Sequence, residues 1–197
     1  VAVVHNGIIE NYASIKKTLE SEGYVFTSQT DTEVLPHLFT KYLKNGHDFL
    51  QAGRLVLKDI KGAFAFVAIC LDFPDQLFVS RNSSPLAIGL GEGSNFVGSD
   101  AQSINHLTNK IIYLEDGDYA LIKVNNIEIF DNESNKIDRK IINVQSELGL
   151  ITKGGYKHFM EKEIYEQPSV IPHTISSFIN PKSTIDIDLD KLGFSQK

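Results

Sequence analysis

Apolar and polar positions alternate between two periods along the chain, and the changes of period mark its elements. The run Val1-Ala2-Val3-Val4 reads as a strand closed by His5-Asn6-Gly7. Tyr12, Ile15 and Leu19 then recur at helical spacing, with Gly23 placed as a left-handed cap. Tyr24 to Ser28 read as a short strand. Thr30 and Glu33 have capping-box spacing, and Val34, Leu35, Leu38, Phe39, Tyr42 and Leu43 form one apolar face of a helix ending near Gly46. A third helix is expected from about Phe49 to Ile60, with Leu50, Leu57 and Ile60 inward and Gly53 weakening it.

From Ala63 the period shortens. Ala63 to Leu71 is almost continuously apolar, which predicts a strand buried on both faces, and Asp72-Phe73-Pro74-Asp75 reads as the turn into a partner strand, Gln76 to Arg81. Leu86 to Leu90 with Asn95 to Val97, Ile111 to Leu114, and Tyr119 to Val124 with Ile127 to Phe130 across Asn125-Asn126 extend an antiparallel pattern. Helices followed by a sheet buried on both faces predict a layered α+β architecture. Asp131 to Gly155 is polar and irregular, as in an ordered but peripheral segment. Tyr156 to Gln167 reads as a helix that Pro168 stops or kinks, and Ser169 to Lys197 as a linker. The chain opens inside an apparent strand without an initiator Met, which gives the expectation that it is a piece of something longer.

Composition narrows the function classes. With 197 residues, 42% of them hydrophobic, the chain can bury a real core, and a net charge of -6 with no basic patch argues against nucleic acid. No apolar run approaches the roughly 20 residues of a membrane span, and the start lacks signal-peptide features. A cytoplasmic protein with no membrane partner is the simplest expectation. The single cysteine, Cys70, cannot form a disulfide within the chain, and the Asn82 and Asn132 N-x-S triplets then read as chance matches.

Candidate chemistry concentrates near the start. Asn6-Gly7 after an apolar strand has two readings: a tight turn, or an amide and a backbone N–H donating together to an oxyanion, each such donor worth about 3 to 4 kcal/mol in a transition state. Asp31 in Thr30-Asp31-Thr32-Glu33 reads as part of a helix start, and equally as a fixed carboxylate suited to an ammonium group. Cys70, in the middle of a buried run with no base nearby in sequence, reads as a core residue. Gly89, Gly91 and Gly93 lack the strand, loop and helix order of a dinucleotide site and read as hairpin glycines. The six histidines show no metal-ligand spacing, so neither a metal nor another cofactor is expected.

Taken together, His5-Asn6-Gly7-Ile8-Ile9-Glu10-Asn11 and Thr30-Asp31-Thr32-Glu33-Val34 resemble the glutaminase domain of class II, N-terminal-nucleophile amidotransferases. The segments Ser80 to Gly91, Gly98-Ser99-Asp100 and His158 to Pro168 resemble the glutamine:fructose-6-phosphate aminotransferase (isomerizing) branch, the last of them its junction with the sugar-isomerase domains. The resemblance implies a four-layer αββα sandwich, incomplete at the N-terminus, with residues 1–155 a partial glutaminase domain and 156–197 an interdomain linker and the start of an isomerase domain. It implies a parent enzyme that takes glutamine and fructose 6-phosphate to glucosamine 6-phosphate, and that is a homo-oligomer through isomerase domains absent from this chain. Asn6 and Gly7 match its oxyanion-hole positions and Asp31 its ligand for the glutamine α-ammonium. Its N-terminal Cys nucleophile has no counterpart here, so this chain alone is expected to be inactive. Two alternatives stay open: another class II enzyme such as amidophosphoribosyltransferase, and a non-catalytic binding module.

Overall fold

The computed structural model describes residues 1–144 and 154–178, with side chains as far as residue 172. It divides into two units, Val1–Ser146 and Glu147–Lys197. In the first, strand β1 (Ala2–Ile9) leads into α1 (Tyr12–Ser21), a short 3-10 turn (Asp31–Glu33), α2 (Val34–Lys44) and α3 (Phe49–Asp59). Then come β2 (Gly62–Cys70), β3 (Phe73–Asn82), β4 (Ala87–Leu90), β5 (Asn95–Gly98), α4 (Ala101–Ile104) and β6 (Lys110–Tyr113). The unit closes with β7 (Tyr119–Lys123), β8 (Asn126–Phe130), β9 (Lys136–Ile137) and β10 (Ile141–Asn143).

Two sheets result, one in the order β1-β2-β3-β7-β8-β9 and one in the order β10-β6-β4-β5. The apolar run of β2 explains how they stack. Phe64, Phe66, Ala68 and Cys70 enter the core beneath α1, α2 and α3, whereas Ala65 and Val67 join Val79, Ile88, Ile112 and Ala120 between the sheets. Side chains alternate across a strand, so one apolar run supplies two cores. A third small core sets Ala101 and Ile104 of α4 on Ala87 and Ile111. The layers are therefore helix, sheet, sheet and helix, the layered α+β architecture that the pattern predicts and the four-layer sandwich that the resemblance implies. Phe39, Phe49, Phe66 and Phe78 are fully buried in the first core, each side chain contributing about 1.5 to 3 kcal/mol of transfer free energy.

Several local expectations give way to tertiary contacts. Tyr24 to Ser28 form no strand; Glu33 accepts from the Thr27 and Ser28 amides, both at 2.7 Å, while the Phe26 ring packs 4.5 Å from that of His37. The Thr30–Glu33 capping box is absent for the same reason, because Thr30 makes no side-chain cap and Glu33 is committed to this loop. A capping box does form at α3, where Asp48 accepts from the Gln51 amide at 2.8 Å. The inward residues of α3 are Phe49, Ala52, Gly53 and Val56, with Leu50 and Leu57 only partly buried. Gly53 is there for contact: a Cβ would stand 2.2 Å from the Phe78 ring.

The β2–β3 turn is Leu71-Asp72, one step earlier than predicted, because Phe73 stacks on Phe49 and so begins β3. Likewise the β7–β8 turn is Val124-Asn125, held by the Asn95 amide donating to the Lys123 and Val124 carbonyls at 2.7 and 3.1 Å. The polar segment after Asp131 supplies edge strands to both sheets, β9 and β10. An ion pair with a buried carboxylate anchors it, the half-buried Arg139 donating from Nε and a terminal nitrogen to Asp118 at 2.8 and 2.9 Å.

The second unit contains α5 (Phe159–Phe178), in which both Pro168 and Pro172 sit inside the helix, so Pro168 does not end it. The Tyr156 and Tyr165 rings stack at 5.5 Å. The predicted linker beyond residue 178 lies outside the described residues. No helix among the described residues is long and apolar enough to cross a membrane.

Candidate functional site

Strand β1 forms one edge of the larger sheet, with Asn6 opposite Ala65 and Gly7 opposite Phe64 on β2. Asn6-Gly7 is thus no turn: the strand runs on through it to Ile9. Gly7 has φ +118°, and a Cβ there would stand 2.1 Å from the Ala63 carbonyl oxygen. Only glycine combines that backbone with so close an approach. Asn6 is exposed and borders an open cleft of about 160 Å³ whose walls include Val97 and Gly98 of β5 and the flanking residues Leu86 and Ser99. The Gly98-Ser99-Asp100 segment is itself tightly built, since Asp100 accepts from the Ser103 amide at 2.8 Å to cap α4 and Gly98 packs against the Ser103 hydroxyl.

Asp31 comes to the same strand from the 3-10 turn. Its Oδ2 accepts from the Ile9 amide at 2.6 Å, two residues beyond Gly7. A second tie lies alongside, where His5 Nδ1 meets Thr32 Oγ1 at 2.9 Å. Burial holds the His5 imidazole below its ordinary value, with the Asp31 charge opposing that shift, and Nε2 is buried without a partner among the described residues. Glu33 braces the loop leading to the turn and is held down to about 2, chiefly by the Ser28 hydroxyl and then by the Thr27 amide. Asn11 fixes the far end of β1, donating to the Asp59 carbonyl at 2.7 Å and accepting from the Lys61 amide at 2.8 Å.

Of the three residues singled out from sequence, Asn6 and Gly7 therefore lie on β1, and Asp31 is tied to the same strand through the Ile9 amide. The His5–Thr32 and Asp31–Ile9 ties were not foreseen, because nothing local in the sequence links residues more than twenty positions apart. The signal that joined Asn6 and Gly7 to Asp31 was the resemblance of their two segments to one family. Cys70 is buried in the core near the opposite end of the β1–β2 pair, five residues along β2 from Ala65, about 17 Å away at strand rise.

A family model described as the glutamine amidotransferase domain matches residues 1–106, and the chain belongs to that family. Its fold is that of the N-terminal-nucleophile, class II amidotransferases. Solved structures of similar fold include a glutamine phosphoribosylpyrophosphate amidotransferase from B. subtilis, at 26% identity and TM-score 0.58 over 68% of this chain and 30% of that one. An allosteric regulatory enzyme of purine biosynthesis matches at 27% identity and TM-score 0.55, over 68% and 29%. Sequence similarity runs higher to enzymes named glutamine–fructose-6-phosphate aminotransferase (isomerizing). That of Acinetobacter baylyi is 48% identical over 91% of this chain and 29% of its own length. Those of Mesorhizobium japonicum and Fusobacterium nucleatum are 44% and 45% identical over 96% and 95% of this chain, and 31% of their own lengths in each case. The chain spans about a third of the length of these curated relatives.

Proposed function

We propose that this chain forms part of the glutamine-hydrolysing domain of a glutamine:fructose-6-phosphate aminotransferase. The observation that carries the reading is the convergence of Asn6-Gly7 and the Asp31 carboxylate on one strand edge. In this role the Asn6 side-chain amide and the Gly7 N–H donate to the oxyanion formed when a nucleophile attacks the glutamine amide. Asp31 attracts the glutamine α-ammonium. One of its oxygens is held by the Ile9 amide, which fixes the carboxylate, and the other is left for the ligand. Glutamine nitrogen then passes to fructose 6-phosphate, the acceptor in the relatives' name, giving glucosamine 6-phosphate in the whole enzyme. Residues 1–155 belong to the glutaminase part and 156–197 to the connection with the sugar-isomerase part. The identity of 41% to 48% to these enzymes, against 26% and 27% for the two purine-pathway structures, favours this branch over amidophosphoribosyltransferase.

Among the described residues no side chain is placed as the nucleophile. Cys70 is buried in the core, and its nitrogen is a peptide amide that cannot serve as the base an N-terminal cysteine supplies from its own α-amino group. Calorimetric titration of the chain with L-glutamine tests the reading. Saturable binding is expected without ammonia release; Asp31→Asn weakens it about tenfold or more, and Cys70→Ser leaves it unchanged. Binding indifferent to Asp31→Asn overturns the reading, whereas ammonia release abolished by Asn6→Ala overturns only the expected inactivity of the chain alone.

A further inference from the structure

A second cavity, of about 240 Å³, lies apart from the Asn6 cleft, between the C-terminal end of α3 and the strands β2, β3 and β7. Its charge is out of keeping with the chain. Arg54, Lys58, Lys61 and Arg81 line it and no carboxylate does, although the chain carries 25 acidic residues against 19 basic ones. Arg54, Lys58 and Lys61 have no ion-pair partner among the described residues, so their charges are not already spent within the protein. Arg81 is partly committed, with one terminal nitrogen donating to the Leu114 carbonyl at 2.9 Å and the other to Asp116 at 2.5 Å.

Hydrogen-bonding capacity is left over at the same place. Four buried side-chain polar atoms have no protein partner among the described residues, and two of them, Arg81 Nε and the Tyr119 hydroxyl, belong to residues that line this cavity. Tyr119 is 2% exposed, so its hydroxyl cannot simply turn to bulk solvent. A buried donor without an acceptor is destabilising, and because both atoms are closed to solvent, a ligand that supplies acceptors relieves them by turning the side chains toward the cavity. Leu57, Ile60 and Phe64 add an apolar wall, which strengthens charge interactions in the cavity by keeping solvent away.

We propose that this cavity is a binding site for a phosphate group. Cations reach it from α3, from the α3–β2 connection and from β3, so the ligand needs acceptor oxygens facing several directions, as a tetrahedral dianion has and a planar carboxylate lacks. Arg81 has only Nε uncommitted, because its terminal nitrogens are engaged, and a ligand meets Nε and the Tyr119 hydroxyl once those side chains turn toward it. The ligand is free phosphate or a small phosphate monoester.

Amide NMR of the 197-residue chain tests this, titrating inorganic phosphate in one arm and glycerol 3-phosphate in another at constant ionic strength. Saturable shifts are expected at Gly62, Gly117 and Tyr119, and tighter binding in one arm identifies the free ion or the ester as the preferred source. Arg54→Gln with Lys58→Gln weakens binding about tenfold or more, as loss of charge-assisted contacts requires. Tyr119→Phe also weakens binding. The pair Lys17→Gln with Lys110→Gln removes the same charge elsewhere and leaves binding within about twofold, since remote exposed charges are screened. The spectra themselves report whether each variant is folded. Shifts that never saturate in either arm, or equal weakening by the remote pair, overturn the proposal.

Discussion

At the scale of single residues, the site is a set of groups already engaged with one another. Asp31 is held by an amide, His5 by a hydroxyl and Glu33 by four donors from Thr27 and Ser28. His5 has a consequence for pH. Its folded value lies below the ordinary 6.5, so the unfolded chain takes up the proton first as pH falls. Its contribution to stability is therefore fully present above about pH 6.5 and is lost as pH drops from there through the folded value. Urea midpoints measured between pH 7.5 and 5 should fall with pH in the parent chain, and His5→Gln should flatten that slope. An unchanged slope would assign the titration to another group. Asn6, Gly7 and Asp31 were legible as types and spacing, whereas the partners of Asp31 and His5 were not, because a strand amide and a threonine hydroxyl carry no sequence signal of their own.

At the scale of elements, strong periodicity was readable and the ends were not. The Ala63–Leu71 run announced a doubly buried strand, and the Val34–Leu43 face a helix. The turn beside Pro74 was misplaced because Phe73 gains more by stacking on Phe49 than the local turn signal offers. Gly53 shows the same conflict, and its substitution separates propensity from packing. Gly53→Ala gains about 1 kcal/mol of helix propensity but forces a methyl group into the Phe78 ring. Overpacking of that kind costs about 1 to 3 kcal/mol, so denaturant melts should show a net loss of stability. The Asp118–Arg139 pair is a sharper case, as Asp118 is 1% exposed and also accepts from the Glu115 amide at 2.8 Å. Arg139→Ala leaves that carboxylate uncompensated and should lower stability by about 3 to 5 kcal/mol, while Asp118→Asn with Arg139→Ala should recover part of the loss.

For the whole molecule, the sandwich depends on residues that are far apart in sequence. The two-core logic of β2 was visible in the sequence, but the order of strands in either sheet was not, since apolar runs do not say which neighbour they pair with. The pairing that bears the candidate site is among the least local: β1 meets β2 with α1, α2 and α3 lying between them in sequence, while β2 and β3 are joined by a two-residue turn. Loop-closure entropy must be met before the first pairing returns anything, whereas the second forms at little such cost. Strand β1 is then expected to dock after the rate-limiting barrier to folding, and the β2–β3 hairpin before it. Chevron plots can read this difference. Val3→Ala on β1 should speed unfolding and leave refolding nearly unchanged, and Val79→Ala on β3 should slow refolding. Asn6 and Gly7 would thus be among the last residues to reach their places and, by the same barrier, the first to leave them.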